Sequence, residues 1–346
     1  FFILFAFTHT VAFSQSEEKV KESKDLEFSP IPYISYNRTT KFEFGALPMV
    51  MYSVNKKDTI SPKSISGAMY VYTTNKSQFG FQFNKLYLNE DRYRITLAGG
   101  VADYNAQVFI DEIFIPSKFY DFNTYAQFFM LKLERRVWRN IFLGTGFAYI
   151  NAENSLEIGG PVFKSERSGL SFFASNDNRD DVYFPTAGSL FESRVILYPE
   201  LLGNKQISQT ILLSYNQYKT LRNERDILAF RLSTDFSLGE VSFDQQVVVG
   251  GREIRGYSEG RYRGEQVANF QLEYRYNPWD KLGFVGFGSI SKLWGSNIVS
   301  HNEYWYPALG AGFRYMAFKE NKMRVGLDAA VGREDWGIYF KIGEAF

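Results

Sequence analysis

From Pro30 to the end of the chain, apolar and polar residues alternate with a period of two. Between residues 268 and 276, Ala268, Phe270, Leu272, Tyr274 and Tyr276 fall on one side, and Asn269, Gln271, Glu273 and Arg275 on the other. Successive side chains of a strand point to opposite faces, so this stretch is a strand with one apolar and one polar wall. Leu228, Phe230, Leu232 and Phe236 oppose Arg231, Ser233 and Asp235 in the same way, and Tyr93, Ile95 and Leu97 oppose Arg92, Arg94 and Thr96. A soluble sandwich alternates too. Two features favour a wall between lipid and water. The polar face carries charges at strand centres, and the apolar face turns aromatic at strand ends, as at Tyr70 and Tyr72 or Tyr274 and Tyr276. Both fit a transmembrane barrel with a wet lumen.

The pattern predicts an all-β fold, a transmembrane antiparallel β-barrel of about sixteen strands, each of membrane-crossing length. They are placed near 31–38, 41–53, 63–74, 77–89, 92–105, 121–136, 139–154, 166–178, 188–199, 206–218, 226–236, 265–276, 281–289, 305–317, 322–331 and 336–346. With both termini periplasmic, the long gaps at 106–120, 155–165, 237–264 and 290–304 become external loops. Most connections at the other end are tight turns, though 54–62 and 179–187 are longer. This asymmetry is the expected one. Ahead of the barrel, residues 1–15 read as a signal-peptide remnant, although a short buried helix or strand also fits. Residues 16–29 are dense in charge and read as a polar periplasmic linker. The barrel then takes 30–346.

Composition narrows the function. Aromatics make up 18% of the chain, with 34 Phe and 23 Tyr, a load suited to interfacial girdles. Cysteine is absent, which removes thiol catalysis, disulfides and thiolate metal sites. A net charge of +1 speaks against a nucleic-acid partner. The two histidines are His9 and His301, so neither a His-rich metal site nor a Ser-His-Asp triad is expected. No cofactor is implied.

Three stretches stand out. Residues 250–265, GGREIRGYSEGRYRGE, hold five glycines and four arginines between two clean strands, and loops this long inside a compact fold are usually functional. Residues 176–188, NDNRDDVYFPTAG, combine a charged cluster of Asp177, Arg179 and Asp180 with Pro185 and Gly188, which make a turn and bar strand pairing. The last stretch, from Trp336, alternates to the final residue, with Ile338, Phe340, Ile342 and Phe346 on one side. An ordinary surface loop, a polar turn and an apolar edge strand are the plain alternatives. An exposed edge would be sticky unless closed against the first strand.

Together these stretches resemble the bacterial surface antigen superfamily, the BamA/TamA-type outer-membrane assembly barrels. Ile254-Arg255-Gly256-Tyr257 is similar to that family's VRGF/Y motif, and Asp177, Arg179, Asp180, Pro185 and Gly188 match a second cluster in order and position. The resemblance implies a loop folded into the lumen, latched by Arg255 to an acid on the next strands. Glu273 matches the first such acid. Ser289 stands where a second is common, so that contact is weakened or replaced. Gly256 lets the backbone pass close by and Tyr257 packs the loop tip. Phe340, Ile342 and Phe346 resemble the C-terminal signal by which such barrels are recognised for insertion.

The implied activity is non-enzymatic insertion or translocation of proteins at the bacterial cell outer membrane, through a weak seam between first and last strands. The implied partners are outer-membrane lipid and client outer-membrane proteins. Family members usually carry POTRA domains before the barrel, and 16–29 leaves no room for one, which suggests a separate periplasmic factor or another role. A passive pore or transporter using the charged lumen is the alternative, and a barrel hydrolase centred on His301 a more distant one.

Overall fold

A strand whose apolar side faces lipid must satisfy its backbone sideways, and a closed ring of strands does this with no edge left over. In this computed structural model, the alternating segments form such a ring. The structure describes residues 26–37, 40–112, 115–156, 162–222, 225–242, 245–250, 253–258, 261–318 and 322–346. The expected signal peptide and most of the expected linker lie outside them.

The strands are β1 (Leu26–Asn37), β2 (Lys41–Tyr52), β3 (Ser64–Thr73), β4 (Gln78–Leu88), β5 (Tyr93–Glu112), β6 (Ile115–Trp138), β7 (Ile141–Leu156), β8 (Phe163–Asp177) and β9 (Gly188–Tyr198). There follow β10 (Ser208–Thr220), β11 (Asp226–Gly239), β12 (Val247–Val249), β13 (Tyr262–Gly264), β14 (Gln266–Tyr276), β15 (Leu282–Trp294), β16 (Trp305–Phe318), β17 (Met323–Gly332) and β18 (Asp335–Ile342). A short helix α1 (Val299–Glu303) lies between β15 and β16. All but β12 and β13 pair antiparallel with their neighbours in one closed barrel of 16 strands. β12 and β13 make a separate two-stranded sheet inside the long β11–β14 connection.

The barrel is inside-out relative to a soluble protein. On β14, Phe270, Leu272 and Tyr276 are exposed, while Asn269, Gln271, Glu273 and Arg275 are buried. Across the wall Leu232 is exposed and Arg231 buried. The five tryptophans, Trp138, Trp279, Trp294, Trp305 and Trp336, are all exposed at strand ends or in the connections beside them. Trp138 and Trp279 lie at the end with the short turns, and the other three at the end with the long loops. Indole rings at both levels mark the two membrane interfaces.

Some boundaries differ from the sequence reading. Residues 106–120 are not an open loop; β5 and β6 run on through them and stay paired from Tyr93↔Arg135 to Glu112↔Ile115. A hairpin outside the hydrocarbon needs no lipid-facing stripe, so alternation ceases to mark it. β1 begins at Leu26, so residues 26–29 belong to the wall and not to a linker. At the other end β18 stops at Ile342 instead of continuing to Phe346.

The closing seam is short. Among the described residues β1 and β18 pair at Tyr36↔Ile338 and Asn37↔Gly337, against 12 pairs between β1 and β2. Toward the turn end the two strands part. Phe340 and Ile342 pack on a buried apolar cluster that includes Ile31, Leu47 and Met49, and Phe340 meets Tyr33 edge-on at 5.4 Å. Beyond them Gly343 N donates to Arg324 O, and Ala345 and Phe346 are buried against Tyr218 and Ala229. Tyr218 and Ala229 share the inward face of β10 and β11 with Asn216 and Arg231, so the tail turns into the lumen.

Candidate functional site

The long β11–β14 connection carries its own small core. Val247, Val249, Ile254, Tyr257 and Tyr262 cluster with Val267, Leu293 and Tyr306 of the inner wall. Tyr257 lies edge-on to Tyr262 and Tyr306, both at 5.9 Å. Its hydroxyl donates to Pro307 O at 2.6 Å and accepts from Arg333 N at 2.9 Å. Gly256 has φ +105°, and a Cβ there would lie 2.9 Å from the backbone of Val331. Left-handed backbone and a close wall together require glycine. Its N–H donates to Tyr339 Oη at 2.8 Å.

These contacts hold Arg255 where the fork of its guanidinium meets two carboxylates. Nη2 donates to Glu273 Oε2 at 2.9 Å and Nη1 to Asp328 Oδ2 at 2.6 Å, and the planar group lies 3.4 Å over the centre of the Phe287 ring. The partners come from β14 and β17, which are not neighbours in the wall, so the bond spans the interior. Ser289 is not a partner; its hydroxyl is buried with none among the described residues. The second acid is Asp328, two strands further round.

The pairing continues into a ring. Glu273 Oε1 accepts from Arg275 Nε at 2.8 Å. Arg275 Nε lies 3.6 Å from Glu344 Oε2 in the inward-turned tail. The same oxygen lies 3.3 Å from Arg314 Nε, and Arg314 reaches Asp328 at 2.5 and 3.1 Å. Three arginines and three carboxylates therefore alternate around a closed circuit, each touching two of opposite sign, with side-chain exposures of 2% or less. A buried charge is tolerated only when paired, and removing one partner strands the others. Gly312 makes room: a Cβ there would sit 2.0 Å from Asp328 Oδ1.

A second connection enters from the turn end. Arg179 clasps Asp177 with two bonds, at 2.8 and 2.9 Å. Asp180 accepts from the backbone of Thr186 and Ala187 at 2.9 and 3.0 Å and binds the Thr186 hydroxyl. Gly188 turns the chain at φ +91°. This cluster projects Val182 and Tyr183 into the interior, where Tyr183 joins the core around Leu47 and Met49. Pro185 O lies 3.4 Å from Arg275 Nη1, and Arg275 Nη2 donates to Phe346 O at 2.8 Å. Arg275 thus joins the ring, the 178–187 connection and the tail.

The sequence placed Arg255, Glu273, Asp177, Arg179 and Asp180, it listed Arg275 only as a polar-face position, and it gave Asp328 no role in the latch. It gave no role to Arg314 or Glu344. His301 lies in α1, buried, with its ring edge-on to Tyr262 at 5.0 Å.

A family model described as the Omp85 superfamily domain matches residues 52–318. BamA from Haemophilus ducreyi lacking POTRA domains 1–3 is similar in structure, with TM-score 0.60 at 15% identity over 92% of this chain and 70% of its own. CdiB from Acinetobacter baumannii gives 0.62 at 14% identity, over 96% of this chain and 64% of its own. CdiB from Escherichia coli gives 0.66 at 9% identity, over 95% and 66%. A search of curated proteins finds no match. With a closed barrel of this form and a family match over most of its length, the chain belongs to the Omp85 superfamily of bacterial outer-membrane β-barrels.

Proposed function

We propose that this barrel inserts or translocates other proteins at the outer membrane, offering the parted edge of β1 to a client strand. The observation that carries the reading is the seam. Among the described residues two pairs join β1 to β18, and Leu26–Ser35 have no β18 partner. An unpaired run of N–H and C=O groups beside lipid is a template for an incoming strand. The luminal loop and its charge ring brace the opposite wall while the seam works. Clients arrive from the turn end, where the two strands of the seam part.

A passive pore is the competing reading. Against it stand the two connections and the tail, which enter the lumen and pack on its inner wall.

The test is a reversible lock. Tyr36→Cys with Ile338→Cys joins the seam in a chain that has no cysteine of its own. Tyr215→Cys with Leu232→Cys joins two strands inside a continuous ladder as control. The oxidised seam pair is expected to deplete other outer-membrane proteins in a proteomic comparison, with recovery on reduction and no effect from the control. Unchanged outer-membrane composition with the seam locked rejects the reading.

A further inference from the structure

We propose that the lipid-facing wall at the turn end of β5–β7 holds one anionic glycerophospholipid of the periplasmic leaflet, its phosphate on Arg135. The register fixes which way this arginine faces. On β6, Lys132 and Glu134 are buried, whereas Leu133 and Arg135 are exposed. Arg135 pairs across the sheet with Tyr93 on β5 and Leu143 on β7, both exposed. Directly opposite residues of neighbouring strands share a face, so Arg135 stands in a row of lipid-facing side chains. Leu133 precedes it toward the middle of the membrane, and Trp138 of the interfacial girdle follows it toward the turn. Its guanidinium therefore lies at headgroup depth. Short turns mark the periplasmic end of an outer-membrane barrel, and the leaflet on that side is built of glycerophospholipid.

The protein supplies no anion for Arg135. Residues 89–94 and 134–140, around the β4–β5 and β6–β7 turns, hold five arginines and three carboxylates. Asp91 is buried and bridges Arg94 and Arg136, at 2.7 and 2.8 Å. Glu134 lies on the lumen side and pairs with Lys132 at 2.9 Å. On the adjoining connections, Asp177 is clasped by Arg179, and Asp58 is held by Ser61 and the Glu90 backbone. This leaves Glu90 exposed in the β4–β5 turn against Arg92, Arg135 and Arg139, which are exposed and form no ion pair with a described residue. The excess is cationic. The Arg135 guanidinium lies 6.0 Å over the Tyr93 ring and that of Arg139 5.0 Å over the Trp138 ring, contacts that limit their freedom before a ligand arrives. Arginine suits a phosphate because its fork pairs two oxygens. A lipid so held lays its acyl chains along Leu133 and Leu143. A headgroup without an amine keeps the charge match, since an ammonium would meet unpaired arginines.

The experiment is native mass spectrometry of the full barrel in detergent, titrated with phosphatidylglycerol or phosphatidylethanolamine of equal chain length. One phosphatidylglycerol is expected to be retained, with clearly weaker retention of phosphatidylethanolamine. Arg135→Ala is expected to reduce phosphatidylglycerol retention about tenfold, the order of one lost charge-assisted contact. Arg139→Ala is expected to reduce it by less. Arg225→Ala, which removes an exposed arginine from the β10–β11 turn, is expected to leave it unchanged. An excess of glycerophosphoglycerol, the same headgroup without acyl chains, is expected not to displace the lipid. Heat-modifiable migration on gels reports whether each variant has folded. Equal retention by wild type and Arg135→Ala, or an equal loss in Arg225→Ala, overturns the site. Displacement by the acyl-free headgroup overturns the lipid as its occupant, and equal retention of the two lipids overturns the anionic headgroup.

Discussion

The wall from β14 to β17 and the seam between β18 and β1 are made from the same alternating sequence, yet they behave differently. β14 and β15 pair over eleven consecutive residues, from Gln266↔Trp294 to Tyr276↔Phe284, and the inner face of this wall is tied through Arg255 to a loop. The seam has two rungs among the described residues, and none from Leu26 to Ser35. The contrast lies in what stands on the inside. Behind β14–β17 the inward face carries Glu273, Arg275, Arg314 and Asp328, paired with one another and with Arg255 and Glu344. At the parted end of the seam they are Ile31, Leu47 and Met49, and Phe340 and Ile342 pack over them in place of a backbone ladder with β1.

The largest expected effect comes from removing that difference. Deleting Gly343–Phe346 frees β18 from the charge ring. Extending the seam register places Ile34 opposite Phe340, so an Ile34→Cys/Phe340→Cys pair is expected to change from a minor to the dominant cross-linked product, read on non-reducing gels. Glu344→Gln moves it the same way by less. An unchanged yield would mean that the tail does not hold the strand inward.

Breaking the braced wall comes next. Arg255→Ala leaves Glu273 and Asp328 with one arginine each, and about 3 kcal/mol of stability is expected to go, the low end for a broken buried pair. Arg261→Ala, which cuts the loop's more exposed pair with Glu334, is expected to cost no more than about 1 kcal/mol. Urea midpoints in micelles compare the two. Gly256→Ala should fall between them, about 2 kcal/mol, from strained backbone and contact with Val331. A Gly256→Ala midpoint equal to wild type would mean that the loop tip has room to move.

The smallest effect is at the turn end. Asp58 accepts hydrogen bonds from Ser61, Ile60 and Glu90, tying the β2–β3 connection to the β4–β5 turn. Burial works against its ionised form, but the Ser61 hydroxyl and these backbone donors outweigh it and hold the carboxyl down at about 2. A depressed value means that the contribution is complete above the ordinary 3.8 and is lost as pH falls through about 2. Proteolysis of the 54–62 connection by an acid-stable protease should therefore accelerate between pH 4 and pH 2 in wild type and show little pH dependence in Asp58→Asn once corrected for the protease's own profile.

How much of this was readable in advance depends on whether the cause was local. Alternation gave the strands because lipid on one face and water on the other act residue by residue. Arg255 was readable from its glycine-rich setting and family resemblance, and Glu273 from its place on a polar face. Asp328, Arg314 and Glu344 carry no local mark. Their meeting depends on which distant strands face across the lumen and on a tail that leaves its strand, and neither follows from periodicity. The same gap explains Ser289: position along the chain pointed to the adjacent strand, whereas the geometry of the guanidinium fork selected one further round.

The circuit through Arg255, Glu273, Arg275, Glu344, Arg314 and Asp328 behaves as an arch does, each stone leaning on two. Pulling out Glu344 would set Arg275 and Arg314 against each other without the anion between them, and the strain would pass through Glu273 and Asp328 to the loop. Freeing the last strand and loosening the arginine hairpin are therefore expected to occur together, as one step and not by degrees.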